Sequence, residues 1–220
     1  EVRWDRDCCT HDSYNLDFRL TYKQISKINE KLSQILGYNY ERLFFGLPIL
    51  NAVAKGFQIS KKGYFEATES PSAIHSAELA RTYLTQQYGT TRCFRLFDPF
   101  AGTGQILWAF SRYGFKCDGC EISAFRYQVA LDNFSVANVL NRIKISNSDG
   151  FQLLKEISND RKKNQSQFHC VYLDPPWNGN YHYDVKKPFI LDNSEPSGGI
   201  LITLATEVAP LVIFKCPTNI

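Results

Sequence analysis

From Cys93 onward, short apolar runs alternate with stretches of helical period, and this rhythm constrains the fold more than any other feature of the chain. Cys93–Phe97 predicts a strand, Gln105–Tyr113 a helix stopped at Gly114, and Lys116–Ile122 a second strand. Ala124–Val136 predicts a helix with Phe125, Val129 and Leu131 apolar, Ile143–Ile145 a strand, and Phe151–Ile157 a helix. A polar, basic loop over Asp160–Gln167 leads into a strand over Phe168–Leu173; Ile200–Val208 then predicts a short helix and Leu211–Lys215 a last strand. Strands separated by helices pair in parallel, so the expectation is an α/β, doubly wound sheet. Ligands of such sheets bind at the carboxyl ends of the strands, and the chemistry is to be sought there.

The N-terminal part reads differently. Residues 1 to about 19 lack periodicity. Thr21-Tyr22-Lys23-Gln24 predicts a capping box that opens a helix, with Ile25, Ile28, Leu32 and Ile35 on one face and Gly37 as its stop. Ser60-Lys61-Lys62-Gly63-Tyr64-Phe65 reads as a basic turn into a short extended piece. Ser70-Pro71 starts the next helix, with Ser70 as N-cap and Ile74, Ala77, Ala80 and Leu84 as its stripe; Tyr88-Gly89 ends it.

At 220 residues and 44% hydrophobic composition the chain can bury a sizeable core. A net charge of +3 gives no global polybasic character, so any nucleic-acid site must be a local patch. The seven cysteines form no framework; Cys117-Asp118-Gly119-Cys120 lies inside a predicted strand with no second pair at ligand spacing, so reduced thiols and no metal site are expected. No apolar run reaches the ~20 residues of a membrane span and no signal peptide is visible, which leads to the expectation of an intracellular protein of nucleus or cytoplasm with no membrane partner. The chain has no Met and begins at Glu1, which reads as part of a longer product.

Two strand ends carry the chemistry. Leu173-Asp174-Pro175-Pro176-Trp177 closes an apolar strand with two prolines, which remove backbone donors and stop the ladder. Such a tip offers a carboxylate, open carbonyls and a large aromatic face, the parts needed to hold a planar base with an exocyclic amine. Phe97-Asp98-Pro99-Phe100-Ala101-Gly102-Thr103-Gly104 turns from a strand into a helix, with glycines that admit a ligand close to the backbone. Leu107 stands where a dinucleotide loop has its third glycine, which counts against a pyrophosphate ligand. Glu121 ends the next strand, where a carboxylate can hold ribose hydroxyls; Asp149, before Gly150 and Phe151, can accept from an adenine amine while Phe151 packs on the ring. Together these describe a nucleoside without pyrophosphate, as in S-adenosyl-L-methionine.

Residues 93 to 177 resemble the Rossmann-like class I methyltransferase core, with the loop, Glu121, Asp149 and Asp-Pro-Pro-Trp in the order of its motifs. Over roughly residues 40 to 220 the chain resembles the trimethylguanosine synthase family of RNA cap guanine-N2 methyltransferases. Gly63-Tyr64-Phe65 with Thr68 is similar to that family's G-W-F and S-V-T, Gly179 and Tyr181 follow Trp177 as there, and Phe214-Lys215-Cys216-Pro217-Thr218-Asn219 is similar to its strand ending in P-x-N. The chain departs from the pattern at Asn178 (usually Gly), Tyr64 (Trp), Gln58 (about where relatives have a basic residue for the cap phosphates) and Asp174 (Ser in some members). The resemblance implies residues 1–65 as a helical extension or lid and 66–220 as the methyltransferase core, whose C-terminal hairpin lies beyond this sequence. It implies S-adenosylmethionine at Thr68, Asp98, Pro99, Phe100, Ala101, Gly102, Thr103, Gly104, Glu121, Ile122, Asp149, Gly150 and Phe151, and catalysis by Asp174, Pro175 and Trp177.

The activity implied is methyl transfer to the N2 amine of a 7-methylguanosine cap. Asp174 and the Pro175 carbonyl would accept from the amine, and Trp177 would stack on the cationic base, a contact worth about 0.5–2 kcal/mol. Lys61, Lys62, Lys186 and Lys187 are candidates for phosphate contacts with capped RNA. Two alternatives stand beside this reading: an adenine-N6 or guanine-N2 methyltransferase acting on internal RNA or DNA positions, and a non-catalytic methyltransferase fold that binds RNA or protein. The oligomeric state is not legible in the sequence.

Overall fold

The computed structural model describes residues 17–89, 93–161, 167–176 and 190–216. Before the sheet come α1 (Tyr22–Leu36), a hairpin of β1 (Leu43–Phe44) and β2 (Leu47–Pro48), α2 (Ile49–Ala54), α3 (Lys61–Glu66) and α4 (Ser70–Tyr88). The alternating series follows as β3 (Arg95–Asp98), α5 (Gln105–Arg112), β4 (Lys116–Cys120), α6 (Ala124–Val136), β5 (Ile143–Ser146), α7 (Gly150–Arg161), β6 (Cys170–Leu173), α8 (Gly198–Val208) and β7 (Leu211–Phe214).

The five strands β3–β7 pair in parallel in the order β5-β4-β3-β6-β7. The chain winds outward from β3 to β5, then crosses back to lay β6 on the other side of β3. The reversal between β3 and β6 opens the crevice in which such sheets bind ligands. Asp98 closes β3 and Asp174 follows β6, so the two acids named from sequence flank that crevice.

Side chains alternate across the sheet with the period of two that strands impose. Leu96, Cys117, Cys170 and Tyr172 face one apolar cluster, which holds α5, α4, Phe134 of α6 and the N-terminal elements. Phe97, Cys120, Val171 and Leu173 face the other, with Leu154 of α7 and Leu201 and Ala205 of α8. The first cluster runs without a break from Ile25 and Leu32 of α1 through Phe44, Phe45 and Ile59 to Leu107 and Phe110, so the N-terminal elements share a core with the sheet. Cys117 and Cys120 are buried free thiols in β4.

Several local expectations are corrected. Ser60–Phe65 is a helix start, not an extended piece: Ser60 Oγ accepts from the Gly63 N–H at 2.9 Å, so the serine caps α3. The N-cap of α4 is Glu69, one residue early, because the Ser70 hydroxyl is engaged elsewhere, accepting from the Gly46 N–H and donating to Gln105. Ala73 joins Ala77, Ala80 and Leu84 on the buried stripe of α4, and Ile74 packs half-buried against the same core. On α1 the capping box of Thr21 and Gln24 and the left-handed Gly37 stand as read, but Ile35 is exposed and Asn29 completes the buried face, its Oδ1 taking the Tyr64 hydroxyl. The helix after Asp149 runs on to Arg161, and β3 starts two residues late, at Arg95.

Candidate functional site

The turn from β3 into α5 is held from both sides. Gly104 has φ +90°, and a Cβ there would come within 2.4 Å of the Phe134 ring, so the position demands glycine on conformation and on space. Gln105, buried at the head of α5, ties the loop to the N-terminal elements: Oε1 accepts from the Phe45 N–H at 2.7 Å and the Ser70 hydroxyl at 3.0 Å, and Nε2 donates to the Thr68 carbonyl at 2.6 Å. Phe45 sits at φ +51°, which costs a non-glycine residue about 1–3 kcal/mol. Its packing against Trp108 and Phe57 and the Gln105 bond offset that strain. Gln105 carried no motif signal; only the fold makes it a hub. On the other side α3 lies directly on the loop. A Cβ at Gly63 would come within 2.8 Å of Thr103 Cγ2, so a glycine lets the helix approach.

Within this frame the predicted residues converge. Asp98 is 1% exposed, and its Oδ1 accepts from the Phe100 N–H at 3.0 Å. Burial pushes its carboxyl up to about 8; the Phe100 bond opposes this, while Asp174 and Glu121 add to it. Glu121 follows β4 and is buried. Its Oε1 takes the Ser123 N–H at 2.8 Å and Arg126, with Nε at 3.1 Å and a terminal nitrogen at 3.0 Å. Oε2 has no partner among the described residues. Arg126 also reaches Glu66 of α3 at 3.2 Å, which couples Glu121 to the N-terminal elements. Ile122 is 67% exposed beside it, an open apolar face. Asp149 Oδ1 caps the start of α7 through the Phe151 and Gln152 N–H groups. Phe151 is half-buried, with Lys155 Nζ 3.8 Å from its ring centre. Gly150 presses on Pro99, and Ala101 donates its N–H to the Cys120 carbonyl. A Cβ at Gly102 would meet only the Phe100 carbonyl, at 4.0 Å, and the buried Thr103 Oγ1 has no partner among the described residues. An orphan hydroxyl, an open glycine, an apolar face and a carboxylate oxygen to spare are the fittings a nucleoside needs.

Across the crevice the tip is built from three segments. Leu173 pairs with Phe214, so Asp174 and Lys215 leave the sheet side by side, and the Lys215 N–H still donates to the Leu173 carbonyl at 2.8 Å. Lys215 Nζ lies 2.7 Å from Asp174 Oδ2. The Thr68 hydroxyl donates to the same oxygen at 3.1 Å and accepts from Lys215 at 3.0 Å. Burial raises the Asp174 carboxyl above its ordinary range, and Lys215 and Thr68 pull it back. The resemblance places Thr68 with the cofactor; its hydroxyl is committed to Asp174. Pro175 is buried and its carbonyl has no backbone donor among the described residues, whereas the Pro176 carbonyl accepts from the Glu195 N–H at 3.1 Å and is not open.

Lys61 and Lys62 lie in the first turn of α3, Lys61 exposed with its Nζ 6.0 Å from the Phe18 ring centre. Gln58 has its backbone held by Asn133 of α6 and its Oε1 buried without a partner among the described residues. Trp177, Asn178, Gly179, Tyr181, Lys186, Lys187 and Pro217–Asn219 lie outside the described residues. Arg126 and Lys215 were missed from sequence. For Lys215 a signal existed: a lone cation closes the apolar run Leu211–Phe214, beside a strand that ends in Asp.

Solved structures similar to this chain include a SAM-dependent methyltransferase from Agrobacterium tumefaciens, at 17% identity and TM-score 0.47, covering 67% of this chain and 46% of that one. A methyltransferase from Geobacter sulfurreducens matches at 12% identity and TM-score 0.33, covering 44% of this chain and 45% of that one. The human methyltransferase 10 domain containing protein matches at 19% identity and TM-score 0.39, covering 50% and 48%. The chain thus spans about half the length of each of these structures. Among the described residues no helix is long and apolar enough to cross a membrane. The sequence profile described as RNA cap guanine-N2 methyltransferase matches residues 93–219, which takes in the glycine loop, Glu121, Asp149 and the Asp174 tip, and the chain belongs to that family.

Proposed function

We propose that this chain is a methyltransferase that uses S-adenosylmethionine and places a methyl group on the exocyclic N2 of a 7-methylguanosine cap on RNA. The observation that carries the reading is the crevice between β3 and β6. Asp98, Glu121, Ile122 and the glycine loop gather at the strand ends on one side, and Asp174, whose Oδ1 is bonded to no described residue, stands on the other. S-adenosylmethionine, when bound, supplies an electrophilic methyl group.

Glu121 Oε2 is placed to accept from ribose hydroxyls, Asp149 from an adenine amine, and Ile122 and Phe151 offer apolar surface to the ring. Asp174 Oδ1 and the Pro175 carbonyl accept from the two N2 hydrogens. This draws the amine lone pair out of conjugation and aims it, so positioning supplies much of the rate. On transfer to N2 the pair of the carbon–sulfur bond would stay on sulfur, and Asp174 or solvent would take the one N2 proton released. Trp177 is assigned the stacking platform from sequence, and Lys61 and Lys62 the phosphates.

The test compares tritium transfer to RNA bearing a 7-methylguanosine cap, an unmethylated guanosine cap, or no cap. Label on N2 of the methylated cap, with a preference over the unmethylated cap that Trp177→Ala largely removes, is the expected result. Label on internal adenine or guanine would replace the cap with an internal base. S-adenosylmethionine binding without transfer to any RNA would leave a binding module.

A further inference from the structure

The tip holds a cation that the reading above does not use. Asp174 Oδ2 is saturated by Lys215 Nζ at 2.7 Å and the Thr68 hydroxyl at 3.1 Å, and these two donors also bond each other at 3.0 Å. The triangle draws on three separate segments: the ends of β6 and β7 and the link between α3 and α4. A carboxylate whose one oxygen is fixed by two donors cannot rotate, so the direction of its other oxygen is set. Oδ1 is bonded to no described residue, which leaves it available to a ligand.

The charge around the group matters as much as the direction. Asp98 at the end of β3 and Glu121 beyond β4 are carboxyl groups on neighbouring strand ends, and Tyr172 lies two residues back on β6. Two effects follow: burial disfavours the negative charge at Asp174, and that charge in turn raises the Asp98 and Tyr172 groups. Lys215 is the cation that opposes them: it lowers the Asp174 and Asp98 carboxyl groups alike.

We propose that Lys215 is a positioning residue of the methyl-transfer site, holding Asp174 as a carboxylate with Oδ2 fixed and Oδ1 turned to the acceptor amine. This rests on the reading of Asp174 as the amine acceptor. In this arrangement the tip presents an ionised acceptor, which bonds an amine hydrogen; a protonated carboxyl would turn its own hydrogen toward the lone pair and block the attack.

The experiment uses the whole chain with Asp labelled by ¹³C at the carboxyl carbon, and the Asp174 resonance assigned by its loss in Asp174→Asn. Lys215→Met should move the Asp174 titration up by about one pH unit or more, without any substrate present. With S-adenosylmethionine and capped RNA, kcat at neutral pH should fall about tenfold or more and its acid limb should move up with the titration, while KM for S-adenosylmethionine stays within about twofold. Lys215→Arg should restore both readouts. Lys215→Gln keeps a donor without the charge and reports the same shifts should the methionine variant not fold. An unmoved Asp174 titration in a folded variant overturns the proposal, as does an acid limb that stays in place. If the wild type transfers no methyl to any capped RNA, the cap reading falls, while the substrate-free titration still decides whether Lys215 sets the charge of Asp174.

Discussion

Two carboxylates close neighbouring strands of the same sheet and are kept in opposite ways. Asp98, at the end of β3, is fully buried, with one backbone N–H for company and two other acids nearby; its proton is held up to about 8. Asp174, after β6, has a lysine and a hydroxyl on one oxygen and its side chain is 19% exposed. The first serves the shape of the glycine loop, whose Phe100 N–H it takes. The second is held at one oxygen by a lysine and a hydroxyl, which offset part of the burial that raises it. Position at a strand end therefore does not determine what an acid does; the groups delivered by neighbouring segments do.

The comparison is broken most forcefully through pH. The Asp98 carboxyl titrates near 3.8 when unfolded and at about 8 in the native state. Between those values the native state binds the extra proton, so stability falls as pH rises across the window, by about 1.4 kcal/mol per unit from this group and on the order of 5 kcal/mol in all. Asp98→Asn keeps the acceptor for Phe100 and should remove that slope, as read by denaturant unfolding from pH 4 to 8. An unchanged slope would mean that Asp98 is not the buried acid described here.

Asp174→Asn should act on the chemistry instead: a loss of about 10²–10⁴ in kcat, because an acceptor facing the amine becomes in part a donor. The measurement is single-turnover methyl transfer to capped RNA. Glu121→Ala sharpens the cofactor side. Losing a charged acceptor should weaken S-adenosylmethionine by about 1–3 kcal/mol in calorimetry with the fold intact. Arg126, freed from Glu121, keeps Glu66. The smallest effect is Ser60→Ala, which removes the cap of α3 and should lower stability by about 1 kcal/mol in chemical denaturation. Because α3 lies on Thr103, cofactor affinity should drop slightly with it.

Much of this architecture was legible. Helix stops at Gly37 and Gly89, the capping box at Thr21 and the alternation from residue 93 are local chemistry, and local chemistry survives folding. Ser60–Phe65 was misread because two lysines and a glycine resemble a turn. The serine cap and the close seat against Thr103 select the helix, and the second of these is a long-range contact. Gln105 has no motif to betray it, since its three partners lie far from it in sequence.

The sequence by itself determined the parallel sheet, the glycine loop and the acids at the strand ends, because strand period, proline stops and glycine conformations are written residue by residue. The tertiary structure alone decided what each acid faces. The strand order places β6 between β3 and β7, which brings Asp174 beside Lys215, 41 residues further on, and closes Thr68 over both from 106 residues before Asp174. Electrostatic character depends on distances through space, and no window along the chain contains those distances.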